Sequence, residues 1–459
     1  MRRLYTALVS ALFVLLGPLV LPLLWLWPRG RKGLGQRLGL LPREQGRLAL
    51  VGQGSLWVHA ASLGEVNAIA PVLKLLTKKL ENVPLVITCT TPAGQEQARK
   101  LFPEAVATLI LPLDLPWMLR PWIRRFDPRF VLVAETEFWP NFLHELKEHG
   151  AQVMLANGRV SEKSFGRYLW LRPLFKDALL CFDVLSMQDE ASAERIRALG
   201  AKASRVRVTG NTKFDIMDEA QAAAENAGEL RSALGLKENA PLIVAGSTRP
   251  GEEILMLQAF ERIKNSLPTL KLLLAPRHIH RVAELESLAK AQGFQVSRRS
   301  QGGIGAADLI LLDSLGELAG AYSLGQLAWI GGSWGPYGGQ NPLEASAQGL
   351  PVLFGPHMEH FSEPAAALLE GGAALQIDAS DLAETSRRIL KSRVERAAMG
   401  KAGLLAMKRF SGAARRNADL AWKLAVLEKL RHDERDWRAK SAYAALKHSE
   451  FGSSLDPED

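Results

Sequence analysis

Hydrophobic and polar positions divide the chain into three regimes. From Leu4 to Trp27, "LYTALVSALFVLLGPLVLPLLWLW", no charged residue occurs, and this run exceeds the roughly 20 apolar residues needed to cross a hydrocarbon core. It predicts a membrane-anchor helix. Pro18 and Pro22 would kink such a helix, so a spanning and an interfacial segment both remain open. Trp25, Trp27 and Pro28 follow in place of a small-residue cleavage site, which predicts that the segment is retained. Arg29, Arg31, Lys32 and Arg37 after it outnumber Arg2 and Arg3 before it, and that bias holds the following chain on the cytoplasmic side.

Beyond the anchor, short apolar runs alternate with amphipathic stretches. "SLWVHAA", "PLVITCTT" and "FVLVAETE" read as strands, and "EVNAIAPVLKLLTKKL" and "AGQEQARKLF" as helices. The rhythm restarts at "PLIVAGST", with "LKLLLAPRH", "ADLILLD", "LAWIGGS" and "PVLFGP" as further strands. Such alternation predicts parallel sheets covered by helices, and its restart predicts two doubly wound, Rossmann-like domains facing a cleft, with ligands at the carboxyl ends of the strands. The expected division is 1–32 for the anchor and its basic flank, 33–215 for the first domain, a polar, alanine-rich linker over 216–238, 239–425 for the second domain, and 426–459 for a terminal helix and solvated tail.

Composition trims the alternatives. The 459 residues are 47% hydrophobic and 23% charged, as in a folded chain with sizeable cores. Cys89 and Cys181 are the only cysteines, so no disulfide framework exists and a reducing compartment fits. The formal charge of +9 is spread along the chain, without an arginine-rich arm or zinc-finger spacing, so no nucleic-acid partner is expected. No G-x-x-x-x-G-K-[ST] loop, H-E-x-x-H or D-x-D occurs, and the pairs His278/His280 and His357/His360 lack a third ligand at a diagnostic spacing. No metal and no cofactor are expected.

The chemistry concentrates at predicted strand ends. "WIGGS" puts Gly331, Gly332 and Ser333 just after a strand, where bare backbone N–H groups can meet a phosphate or simply make tight turns. In "NPLEASAQG", Asn341 is a candidate helix cap and Glu344 stands in the first turn, able to accept hydrogen bonds from two ribose hydroxyls or merely to favour the helix dipole. "GSTRPGEE" offers Ser247 and Thr248 as phosphate donors or caps, and "APRHIHR" presents Arg277, His278 and Arg281, whose guanidinium groups can grip a phosphate or form surface salt bridges. "GNTKFD" adds Lys213 between the domains. Together these loops favour a nucleotide-binding second half.

The first half carries carboxylates instead. In "VHAASLGEVNA" a strand ends at Ser62 and Gly64, and Glu65 follows at a helix start; it can act as a general base or as an ordinary acidic first-turn residue. Glu135 and Glu137 end the strand of "VAETEFWPN" and can orient a sugar acceptor or act on Glu65 electrostatically. "NGRVSEKS" supplies Arg159, Ser161 and Ser164 for an anionic substrate. "LPWMLRPWIRRF", with Trp117, Met118, Trp122, Arg120, Arg124 and Arg125, is a candidate membrane contact or an ordinary amphipathic helix.

These motifs, with "TTPAGQEQA", "LPLDLP", "DSLGELAGAY" and "GGSWGPYGGQNPLEASAQGLPVLFGPH", resemble the Kdo (3-deoxy-D-manno-octulosonic acid) transferases of lipopolysaccharide assembly, in family order from about residue 30 to 425. The resemblance implies a GT-B fold tethered to the cytoplasmic face of a bacterial inner membrane. It implies transfer of Kdo from CMP-Kdo to the lipid A precursor lipid IVA, with inner-membrane lipids as partners. It makes Glu65 the catalytic base and Glu135 an organiser of the acceptor side, near Ser62, Gly64, Arg159 and Ser161. Lys213, Ser247, Thr248, Arg277, His278, the Gly331–Ser333 loop, Asn341 and Glu344 are then expected around CMP. The chain departs from the family pattern at Gln340, where a histidine is expected, at "NGRVS" for "NARLS", and at Arg249. Gln340 can donate a hydrogen bond but not an ionisable proton. A nucleotide-sugar epimerase of the same fold and a membrane-bound CMP-sugar-binding protein without turnover are the rival readings.

Overall fold

The computed structural model describes residues 1–27, 31–42, 50, 54–80, 83–238, 240–302 and 307–432. Pro28, Arg29 and the expected polar tail beyond residue 432 lie outside these. The chain forms two compact units: Met1–Lys213 together with the chain from Gly412 onward, and Phe214–Ser411.

The first unit holds a seven-stranded sheet of β1 (Ser55–His59), β2 (Leu85–Cys89), β3 (Ala107–Ile110), β4 (Pro128–Ala134), β5 (Gln152–Gly158), β6 (Val184–Met187) and β7 (Val206–Val208), in the order β3-β2-β1-β4-β5-β6-β7. Every neighbouring pair is parallel. Such strands are covered on both faces, which is why β1 and β2 are buried at every position and read as unbroken apolar runs. One face packs Trp57, Trp122, Phe126 and Phe142 into an aromatic cluster. Leu56, Val58 and Leu132 line the other, which is closed by Ala414, Ala418, Ala421 and Leu424 of the helix Ala413–His432. Asn417 fastens that helix: its Oδ1 accepts from Ser186 Oγ at 2.7 Å and its Nδ2 donates to Thr209 Oγ1 at 3.0 Å.

The second unit repeats the plan with β8 (Leu242–Thr248), β9 (Lys271–Pro276), β10 (Val296–Arg298), β11 (Leu309–Leu311), β12 (Leu327–Ile330), β13 (Val352–Phe354) and β14 (Ala374–Gln376), ordered β10-β11-β9-β8-β12-β13-β14 and again all parallel. Two doubly wound α/β units are thus present, as the alternation predicts.

Three expectations are corrected. The stretch 216–238 is not a free linker: it folds into the helices Met217–Glu225 and Ala227–Ala233, which bury Ala220, Ala227 and Leu230 in the second unit. The second unit ends at Ser411 rather than 425, because the apolar stripe of the last helix completes the first sheet. The helix Pro116–Phe126 turns Met118 and Trp122 into the core; of the proposed membrane contacts, Trp117, Arg120 and Arg124 stay exposed, with Arg120 tied to Glu145 at 2.6 Å.

Candidate active site

Both sheets reverse their winding beside their first strand, between β1 and β4 and between β8 and β12. Ligands of doubly wound sheets bind beyond the carboxyl ends of the strands at such points, and most of the residues singled out from sequence follow the strands at or next to them, with Arg159 and Ser161 after β5.

At the β1–β4 switch, Ser62 caps the helix Leu63–Lys79 and accepts from the Glu65 N–H at 3.3 Å. The Glu65 carboxylate reaches back, accepting from Ala61 N–H at 2.8 Å and from Ser62 Oγ at 3.1 Å. This is capping-box logic, in which an S-x-x-E pattern satisfies exposed N–H groups reciprocally. It also fixes one carboxylate at the strand end. Ala60 N donates to Thr88 O, and Thr90 N and Thr91 N both donate to Ala61 O, so β2's trailing loop holds this turn. Gly94 presses on it from the next helix: a Cβ there would lie 3.1 Å from Ser62 C and 3.3 Å from Leu63 N.

Burial first, then the neighbouring charge of Glu137, with a smaller contribution from Glu135, pushes the Glu65 carboxyl up to about 7, against the opposing pull of the Ala61 N–H and His59. Glu137 sits 3.4 Å from His59 Nε2 and accepts from the Trp139 indole N–H at 2.6 Å. Burial opposes its ionisation, but His59 and Trp139 outweigh burial and hold it below the usual carboxylate range. The two carboxylates are thus driven apart, one toward neutrality and one toward permanent charge, the pattern that separates acid–base roles. Glu135 adopts a left-handed conformation, φ 51°, uncommon for a residue with a Cβ. Its partner is Lys213, 2.6 Å away. Sequence reasoning expected Lys213 near a nucleotide; in the structure it closes the first unit with its ammonium on Glu135.

Gly64 is exposed, and a Cβ added there would meet only Ser62 Oγ, at 3.8 Å. Ser161 is a helix cap, accepting from Ser164 N–H at 3.2 Å. Arg159 is exposed and makes no hydrogen bond or ion pair among the described residues.

At the β8–β12 switch, Gly331 lies against the Ser247–Thr248 backbone, where a Cβ would come within 2.5 Å of Ser247 O and Thr248 Cα. Only glycine fits so close an approach. Ser247 has φ 56° and Gly332 φ 70°. Arg277 is exposed beside them, its N–H donating to Thr248 O at 3.0 Å and its guanidinium unpaired among the described residues. His278 Nε2 lies 2.9 Å from Arg249. Asn341 Oδ1 accepts from Leu343 N–H at 3.1 Å and its Nδ2 donates to Glu344 at 3.3 Å, so these two form one small cluster.

Three residues turn out to support this loop system from behind. Ser333 is fully buried, donating to Ile330 O at 2.6 Å and accepting from Gly355 N–H at 2.8 Å, which makes it a backbone peg and removes it from the groups able to reach a ligand. Thr248 is likewise buried, bonded to Glu253 at 3.1 Å. Arg281 turns inward to Glu253 at 2.5 Å. Sequence reasoning passed over Glu252 and Glu253. Glu252 Oε1 accepts from both Gly332 N–H and Arg249 N–H at 2.6 Å, joining the two glycine loops. Burial raises its carboxyl to about 7, with those N–H groups opposing. The signal available was the doubled acid directly after "GSTRPG", which reads as a solvated first turn but is 1–2% exposed.

Two doubly wound units, each an all-parallel seven-stranded sheet, are the architecture of the GT-B fold. As a fold, the chain is similar to the UDP-GlcNAc 2-epimerase of Neisseria meningitidis bound to UDP-GlcNAc (TM-score 0.55, 14% identity, 80% of this chain and 100% of that one). The family described as 3-deoxy-D-manno-octulosonic-acid transferase (kdotransferase) matches residues 32–216. The 3-deoxy-D-manno-octulosonic acid transferase of Haemophilus influenzae is 31% identical over 90% of this chain and 96% of its own length, and that of Bordetella pertussis 33% over 86% and 94%. The chain belongs to the Kdo transferase family, glycosyltransferases of lipopolysaccharide biosynthesis.

Proposed function

We propose that this transferase moves Kdo from CMP-Kdo to lipid IVA in one inverting displacement, on the cytoplasmic face of the inner membrane. The observation that carries the reading is Glu65, a carboxylate held on a helix N-terminus with its pKa raised to about 7, where a general base works best near neutral pH. Glu65 takes the proton from an acceptor hydroxyl as that oxygen bonds to the anomeric carbon of Kdo. The anomeric carbon's bond to the CMP phosphate oxygen breaks, and the electron pair leaves with CMP. Arg277 and the N–H groups of the Gly331–Gly332 turn are the groups suited to the charge that develops on the departing phosphate, so the step calls for neither a second carboxylic acid nor a metal. Lys213 balances Glu135 and keeps the acceptor side from accumulating three negative charges.

The test is mass spectrometry of lipid products after incubation of the full-length protein with CMP-Kdo and lipid IVA in chelating buffer, beside Glu65→Ala. A gain of one or more Kdo units in the wild type alone supports the reading. No gain with CMP still bound points to the rival without turnover, and a product altered in the nucleotide sugar alone points to an epimerase.

A further inference from the structure

The helix Arg2–Leu26 is held to the first unit at both ends. At its start Arg2 pairs with Glu145 at 2.6 Å, Tyr5 Oη donates to Asp114 Oδ2 at 3.0 Å, and Thr6 Oγ1 donates to Asn141 Oδ1 at 2.6 Å. These are anchored groups: Asp114, from "LPLDLP", also accepts the N–H groups of Asn141 and Phe142 at the start of the helix Pro140–His149. Beyond the apolar helix, Leu34 is buried, Gln36 Oε1 accepts from Ile110 N–H at 2.6 Å, Arg37 O accepts from Leu113 N–H, and Gly39 O accepts from the Trp122 indole at 2.8 Å.

The two fixed ends set the geometry. The helix is about 36 Å long at 1.5 Å per residue, while the seven steps from Leu26 to Gly33 cover at most about 25 Å. A helix standing across a hydrocarbon core of about 30 Å with Arg2 fixed on this unit would leave Leu26 on the far side, too distant for Gly33 to rejoin the same unit. Yet the helix is made for lipid. Leu8, Leu15, Leu19 and Leu23 are 63–71% exposed, and Gly17 is its one buried residue. Pro18 and Pro22 each remove an internal hydrogen bond, freeing carbonyls that headgroup water can satisfy and a hydrocarbon core cannot. Trp25 and Trp27 at the exit are interfacial residues, and exposed Arg3, Arg31 and Lys32 suit anionic headgroups.

We infer that this helix lies in the plane of the cytoplasmic leaflet as a monotopic anchor, with both ends on one side of an anionic bilayer. The inference rests on the membrane association proposed above and adds its mode. It also bears on the chemistry: the pinned helix Pro140–His149 starts directly after Trp139, whose indole holds Glu137, so the anchor sets the height of the acceptor-side carboxylates at the membrane surface.

Arg3→Cys and Lys32→Cys full-length proteins, in sealed membrane vesicles of each orientation, are treated with a membrane-impermeant maleimide; native Cys89 and Cys181 are buried. Both positions should react from the same face and neither from the other. Reaction from opposite faces overturns the inference and leaves membrane association standing. Spin labels at Leu8, Leu15 and Leu23 should report one shallow depth of about 5–10 Å, whereas a Leu15 label at the bilayer centre with both ends on one face identifies a re-entrant hairpin and also overturns it. Release of the protein by a salt wash, with no label in lipid, removes the membrane reading and the inference together.

Discussion

Lys213 Nζ lies 2.6 Å from Glu135 Oε1, at the end of the strand neighbouring the one that leads to Glu65. The pair neutralises one of the two carboxylates that act on Glu65, and Glu135 contributes to raising its pKa. Lys213→Met leaves the Glu135 charge unbalanced, so Glu65 holds its proton more tightly. The acid limb of kcat/KM, expected near pH 7, should move to higher pH, as a pH–rate profile will show.

Glu137→Gln works in the other direction. Glu137 is the largest charge-based cause of the raised Glu65 pKa, so its neutralisation favours the Glu65 carboxylate and shifts the acid limb to lower pH. Opposite displacements in the two variants are the expected signature. Equal displacements would remove Glu65 as the group titrating in the profile.

Glu65→Gln keeps the shape of the capping turn and loses the base. Turnover should fall roughly 100- to 10,000-fold, the range for a positioned general base, while CMP affinity measured by calorimetry stays within about twofold. Loss of CMP binding in parallel would mean a structural role.

Arg277→Ala removes an exposed guanidinium that pairs with nothing among the described residues, so the fold has little to lose. The donor KM should rise roughly 10- to 100-fold, matching about 1.5–3 kcal/mol for a hydrogen bond to a charged group. The acceptor KM should not move.

Glu252 ties stability to pH. Its folded pKa of about 7 lies above the 4.5 of an unperturbed glutamate. Between those values the unfolded chain releases a proton that the folded chain keeps. Stability is therefore full below pH 4.5 and declines as pH rises toward 7, by about 3 kcal/mol at 1.36 kcal/mol per pKa unit. Chemical denaturation of Glu252→Gln across that window should show the decline flattened.

Local chemistry was legible from sequence and tertiary destination was not. Ser62-x-x-Glu65 announced a capped helix because the pattern is satisfied within four residues, and Gly331 announced a close backbone approach because nothing larger fits. The ends of those chains of reasoning depend on partners far away in sequence. Thr248 looked like a phosphate donor until Glu253 claimed its hydroxyl, and Arg281 looked like a phosphate clamp until the same Glu253, 28 residues earlier, drew it inward. Sequence likewise carried the second domain on to 425, because nothing local says on which sheet the apolar stripe of 413–424 packs, and the alanine-rich stretch from 216 read as a linker because its buried side, Ala220, Ala227 and Leu230, is mostly alanine.

The return of the chain at Gly412 has a consequence for synthesis. One face of the first sheet, lined by Leu56, Val58 and Leu132, is covered by residues that leave the ribosome some 200 positions after β7. The helices Leu63–Lys79 and Pro92–Leu101 cover part of that face early, through Val66, Ile69, Leu73 and Ala98, but its β4–β5 side waits roughly 10–40 s, at about 5–20 residues per second, while the whole second unit is made. The unit that begins first is therefore the one completed last, and an arrest of translation before Ala414 leaves the β4–β5 side of its sheet uncovered and adhesive.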